Sequence, residues 1–250
     1  MIKRFLLIIA ILAGFALCGY AQLPISVSAG LNGGLLFPQS SNLKGDFSDS
    51  HNYPLSKASY AIGGKLRLSI AQLPISFVGL LSYNSLTDNF DLNLIGGPNG
   101  PVTTKYTYSL SVITAGIGAE YSFLPLPMFK PYLITDIDAN FYSGSGGDNH
   151  HAYPDANLNS TNRFGINIGV GTLIDMPILP ISFDIEMKYS FSNLVGKKFN
   201  SIGYPWGGYG GLPQTSTYYL NDATNPNDSN DNNRAINFLV IKIGVLFRII

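Results

Sequence analysis

Charge is scarce in this sequence. Only 12% of its 250 residues are Asp, Glu, Lys or Arg, against roughly 25% in an ordinary soluble domain. The 15 basic and 15 acidic residues cancel, so no electrostatic argument favours a nucleic-acid partner. A single cysteine, Cys18, leaves no pair for a disulfide. Long apolar runs are missing beyond the first twenty or so residues. The best candidate, 238–250, carries Lys242 and Arg248 and falls short of the ~20 residues a membrane helix needs. Helix formers such as Glu, Gln and Lys are few, whereas Gly, Tyr and Phe number 27, 15 and 15. That balance favours strands. The chain is therefore apolar without a membrane helix, and an extended architecture has to explain it.

The first residues read as an address. Met1-Ile2-Lys3-Arg4 is cationic, Phe5 to Leu17 is apolar, and Gly19-Tyr20-Ala21 supplies small residues where a signal peptidase reads. We place a signal peptide at 1–21 and one domain at 22–250. Cys18 offers a second reading, a lipidated cysteine, against which the bulky Leu17 argues. With cleavage after Ala21 the mature chain has no thiol.

Alternation then marks eight extended segments, near 23–37, 59–71, 75–87, 106–123, 129–143, 162–176, 181–194 and 236–249. Their connections take turns. Three are short and carry proline: Gln72-Leu73-Pro74, Pro125-Leu126-Pro127 and Pro177-Ile178-Leu179-Pro180. Four are long and rich in Gly, Asn, Ser and Asp, covering 38–58, 88–105, 144–161 and 195–235. Ala21-Gln22-Leu23-Pro24-Ile25-Ser26 recurs letter for letter at Ala71-Gln72-Leu73-Pro74-Ile75-Ser76, so the repeat unit is a hairpin. Short turns at one end and long loops at the other is the pattern of an eight-stranded antiparallel up-and-down transmembrane β-barrel in an outer membrane.

Each segment offers one apolar and one polar face. Leu239, Ile241, Ile243, Val245 and Phe247 oppose Val240, Lys242, Gly244, Leu246 and Arg248. A cation facing lipid at mid-membrane costs about 2–4 kcal/mol, so the charges should turn inward. The polar faces are mostly Gly, Ser and Ala with charges of both signs, a composition that suits a narrow filled lumen better than a water-exposed sheet. The rival, a secreted soluble barrel or sandwich, would show more Lys, Glu and Thr there. The inward set holds Lys65, Arg67, Arg163, Lys188, Lys242 and Arg248 with Glu120, Asp136, Asp138, Asp184 and Glu186, and buried charges need partners. These predict a lumenal salt-bridge network. Aromatics near strand ends, among them Tyr60, Tyr83, Tyr121, Phe123, Phe129, Tyr132, Phe141, Tyr142 and Phe247, read as interfacial girdles.

With these features the sequence resembles the OmpA/OmpX-like small outer-membrane β-barrel family over Leu23 to Ile250. The resemblance implies an outer-membrane location in a Gram-negative-type bacterium, contact with outer-membrane lipid, and handling by the barrel-assembly machinery. In that family the last strand usually ends on an aromatic; here Phe247 stands three residues before Ile250.

Evidence for chemistry is thin. His51, His150 and His151 all fall in expected loops, away from any membrane-embedded serine, so no catalytic set is assigned. His150-His151 point apart in an extended loop, and Asn225 to Asn233 lacks the glycine and distant glutamate of a calcium loop, so neither a metal nor another cofactor is expected. Tyr204, Trp206 and Tyr209, set among glycines, suit contact with a protein or glycan. The expected role is structural or surface interaction through the outer loops. The alternatives are narrow porin-like transport and a lipid-modifying enzyme.

Overall fold

The computed structural model describes residues 25–39, 59–70, 73–97, 100–124, 126–148, 156–200, 217–220, 222–224 and 234–249. No helix among them is long and apolar enough to cross a membrane. Strands β1 (Ile25–Pro38), β2 (Ser59–Ile70), β3 (Ile75–Gly97), β4 (Gly100–Ser122), β5 (Phe129–Asp148), β6 (Ala156–Asp175), β7 (Ile181–Val195) and β9 (Asn237–Arg248) form the wall. A two-residue strand, β8 (Thr217–Tyr218), lies parallel to β6 outside it. Every wall strand pairs antiparallel with its neighbours, and β9 pairs with both β7 and β1. The sheet therefore closes as an eight-stranded barrel with no free edge.

Proline does local work at the turn end. It has no N–H for the ladder, so it fits the residue before a strand, while its carbonyl still accepts. Ser122 N donates to Pro74 O at 2.7 Å and Arg248 N to Pro180 O at 2.8 Å. Ile249 N donates to Val27 O at 2.8 Å and completes the β1–β9 seam.

The wall strands at the loop end are longer than alternation alone suggests. Most of the expected loop 88–105 is ladder: β3 and β4 stay paired from Asp88↔Tyr108 up to Leu94↔Val102, and Gly97 faces Gly100. Asp88, Asn89, Asp91 and Asn93 are poor strand formers by propensity. A partner rich in threonine and tyrosine, 103–108, overrides that preference, because fit to the paired strand decides. Likewise β5 and β6 extend into the expected loop 144–161, with a register shift between Tyr142 and Gly144.

Side chains sort cleanly by face. Leu31 (76% exposed), Ile117 (67%), Leu81, Ile137, Ile168 and Ile243 stand on the exterior. Such a belt greatly exceeds the scattered apolar residues of a soluble surface. Inward positions carry the charges and also two apolar clusters. Near the turn end these are Val78, Tyr132, Ile134, Leu173 and Leu246; near the loop end Leu36, Leu86, Leu110, Leu158, Leu220, Ile236 and Phe238 are among them. The lumen is thus filled by large apolar groups as well as by small and ionic ones.

Tyr132 and Tyr142 correct the girdle expectation. Both are fully buried inside the tube, in step with Asp136, Asp138 and Asn140 on β5. A glycine opposite Tyr132 makes its room: a Cβ on Gly171 would overlap the Tyr132 ring. Gly171→Ala should therefore cost about 1–3 kcal/mol by overpacking, read as a lower urea midpoint for the folded barrel. An unchanged midpoint would show that the ring is free to move.

Candidate functional site

The lumen holds the polar side chains in three levels. In the turn half, Lys65 of β2 reaches across the tube. Its Nζ lies 2.5 Å from Glu120 Oε1, 2.8 Å from Asp184 Oδ2 and 3.0 Å from Glu186 Oε2. It also sits 4.9 Å from the Tyr132 ring centroid, a cation–π distance. Tyr132 Oη donates to Asp184 Oδ1 at 2.5 Å, and Arg67 Nε donates to the other oxygen of Glu120 at 2.6 Å. One buried ammonium thus meets three carboxylates from β4 and β7, which a barrel allows because facing strands lie across a tube only wide enough for side chains.

At the middle level Lys188 binds Glu186 Oε1 at 3.0 Å and Asp136 Oδ2 at 3.1 Å. Asn167 of β6 donates through Nδ2 to Asp136 and, at 2.9 Å, to Asp138. Lys242 lines a cavity here beside Lys188, and no carboxylate oxygen among the described residues is within ion-pair distance of it. Above, Asn84, Thr114, Asn140, Tyr142 and Ser192 are linked by neutral hydrogen bonds. Thr114 Oγ1 donates to Asn140 Oδ1 at 2.6 Å, and Tyr142 Oη lies 2.8 Å from Ser192 Oγ.

The third level lies at the loop end. Arg163 makes a two-pronged contact with Asp222, Nε to Oδ2 at 2.8 Å and Nη2 to Oδ1 at 2.6 Å. Asp222 comes from the fourth long connection, whose Leu220 packs into the apolar cluster below. A shift of register between β6 and β7 leaves two successive residues, Ser192 and Asn193, facing inward. Bulges re-aim side chains in this way. Asn193 donates to Asp222 at 2.9 Å and to Arg234 O at 2.9 Å, and accepts from Ile236 N at 2.8 Å. Together they clasp both flanks of 225–233 to the wall.

Three sequence expectations change here, the first being Lys242, which faces the lumen without an ion pair among the described residues. Arg248 is not part of the lumenal network: it stands at the turn-end rim, 53% exposed, with Asp175 at 3.8 Å. It is the last residue of its strand, at the turn end, and Lys130 holds the same carboxylate more closely, at 2.6 Å. Arg163 does face inward, but its partner is Asp222 in the cap and not one of the five strand carboxylates named from sequence. Asp222, Asn193 and Asn167 join the site beyond the charged set that the sequence singles out. Asn167 was readable from its parity with Arg163; Asp222 sits in a loop full of Asp and Asn and carries no distinguishing signal. Tyr204, Trp206, Tyr209, the three histidines and Cys18 lie outside the described residues. Among the described residues no group of three or more His, Cys, Asp or Glu is placed to hold a metal.

Breaking the clasp gives a direct check. Removing one partner of a buried ion pair costs about 3–5 kcal/mol, so Asp222→Ala should raise cleavage around 217–224 by added protease about a hundredfold or more. Unchanged cleavage would mean that the cap is held by packing alone.

No protein-family profile matches the sequence, and no curated protein matches it. Among solved structures, the chain is similar to Neisserial surface protein A, at 14% identity and a TM-score of 0.44, over 89% of this chain and 96% of that one. It is also similar to Ail, the attachment invasion locus protein of Yersinia pestis, solved with the heparin analogue sucrose octasulfate, at 12% identity and a TM-score of 0.40, over 90% and 97%. A second structure of Ail gives 10% identity and a TM-score of 0.40 over the same shares. The barrel itself rests on its own closed ladder.

Proposed function

We propose that this chain is an integral outer-membrane barrel of the OmpA/OmpX-like kind, exported with loss of residues 1–21, that acts as a rigid support for surface loops. The observation that carries this reading is the inversion of the protein: aliphatic and aromatic side chains cover the outside, while Lys65, Lys188 and their carboxylates are buried inside. Lipid is the solvent that makes such an exterior stable, and closure leaves no open sheet edge in it. The filled lumen and the Arg163–Asp222 clasp favour a support over a conduit. Loops on a rigid scaffold are where binding residues concentrate, and Tyr204, Trp206 and Tyr209 are the residues proposed to meet a protein or glycan. Neither catalysis nor a cofactor enters this reading.

Planar-bilayer recording tests it. The purified barrel should give no steady conductance beyond rare small events. Ohmic single-channel steps at neutral pH would transfer support to the transport reading. Alanine at Tyr204, Trp206 and Tyr209 should abolish partner capture from native membranes while the barrel stays folded.

A further inference from the structure

Between the turn-end rim, where Asp175 meets Lys130 and Arg248, and the Arg163–Asp222 level, the lumen is one positive charge short. Five strand carboxylates, Glu120, Asp136, Asp138, Asp184 and Glu186, share it with four cations, Lys65, Arg67, Lys188 and Lys242. The shortfall has an address. Asp138 is 4% exposed and Asn167 6%, yet Asp138 Oδ1 and Asn167 Oδ1 have no hydrogen-bond partner. Both residues line the same mid-lumen cavity, of about 40 Å³, with Asp136, Asn140 and Thr114 also on its wall. By contrast Glu120 Oε1 is held by Lys65 at 2.5 Å, and Asp136 is held by Lys188 and Asn167.

We infer that this cavity binds one small monovalent cation of the sodium or potassium class, on Asp138 Oδ1 and Asn167 Oδ1. The offered donors are oxygens, which select a hard ion. A water molecule fits, since about 10–15 Å³ is enough, but leaves the excess charge buried and uncompensated. A divalent ion reverses the imbalance and needs six or more oxygens, several of them carboxylate. Lys242 and Lys188, on the same cavity wall, further disfavour a double charge. One monovalent ion brings five negative charges to balance and gives both orphan oxygens a partner.

The folded, purified barrel in detergent provides the test, with thermal unfolding midpoints in sodium or potassium chloride compared with N-methylglucamine chloride at equal ionic strength. That organic cation is too large for the cavity. Wild-type protein should melt about 2–4 °C higher or more in the small cations. Asp138→Asn should remove the difference, and Lys242→Met, which deepens the charge deficit, should enlarge it. Sodium-23 NMR relaxation of the wild-type barrel, competed by potassium, reads occupancy without any variant and stands even if Asp138→Asn fails to fold. Equal midpoints in all three salts together with no sodium relaxation would overturn the inference. So would a midpoint that follows pH and ignores the cation, because a proton then supplies the missing charge.

Discussion

Lys65→Met should lower the stability of the barrel by about 3–5 kcal/mol, the cost of leaving a buried ion-pair network without one partner. Methionine fills nearly the same volume, so the effect isolates charge from packing. With the ammonium gone, Glu120, Asp184 and Glu186, all buried, lose contacts of 2.5, 2.8 and 3.0 Å at once. Arg67 still holds Glu120 at 2.6 Å, but Asp184 keeps only Tyr132. Urea unfolding in phospholipid vesicles, followed by the mobility difference between folded and unfolded barrel, gives the number. Tyr132→Phe removes the short hydrogen bond to Asp184 and the longer ones with Glu186 and Lys65, but leaves the ammonium on its three carboxylates and should cost less, about 1.5–3 kcal/mol. The ordering matters as much as the size. A Lys65→Met loss under 1 kcal/mol would mean that the network is solvated and the lumen open to water.

The architecture was legible because its two strongest signals are local. Period-two alternation in stretches such as 181–191 and 239–249 fixes strand type, and the contrast between proline turns and polar connections fixes which end is which. What alternation gives is a face; it does not give height. Strands in a closed barrel are staggered, so the level at which Lys65 meets β7 depends on shear, a property of the whole ring. Hence the partners of Lys65 lie on β4 and β7, and no sequence spacing announces them. Tyr132 and Tyr142 show a different failure: parity with Asp136 already placed them inside, and chemical habit placed them at the membrane interface. Parity wins, because one residue of slip would turn every charge on β5 to the outside. Asp222 was out of reach altogether, since a clasp between a loop and a bulged strand follows no period.

The sharpest test of the inside-out arrangement is a charge on the belt. Ile117 is 67% exposed, lies between Gly116 and Gly118 at lumenal positions, and pairs with Ile137 across the β4–β5 ladder. Its neighbours on that surface are apolar: Leu66, Phe77 and Ile137. In water, arginine at so exposed a site would be nearly neutral, within about 0.5 kcal/mol. Facing the hydrocarbon, Ile117→Arg should cost about 2–4 kcal/mol, whereas Ile178→Arg, in an exposed proline turn at the membrane edge, should cost about 0–1. The same unfolding assay measures both. Because both side chains point away from the protein and both sites receive the same substitution, the surrounding medium is what separates them. Equal small losses would place water against Ile117 and return the chain to the soluble β-proteins.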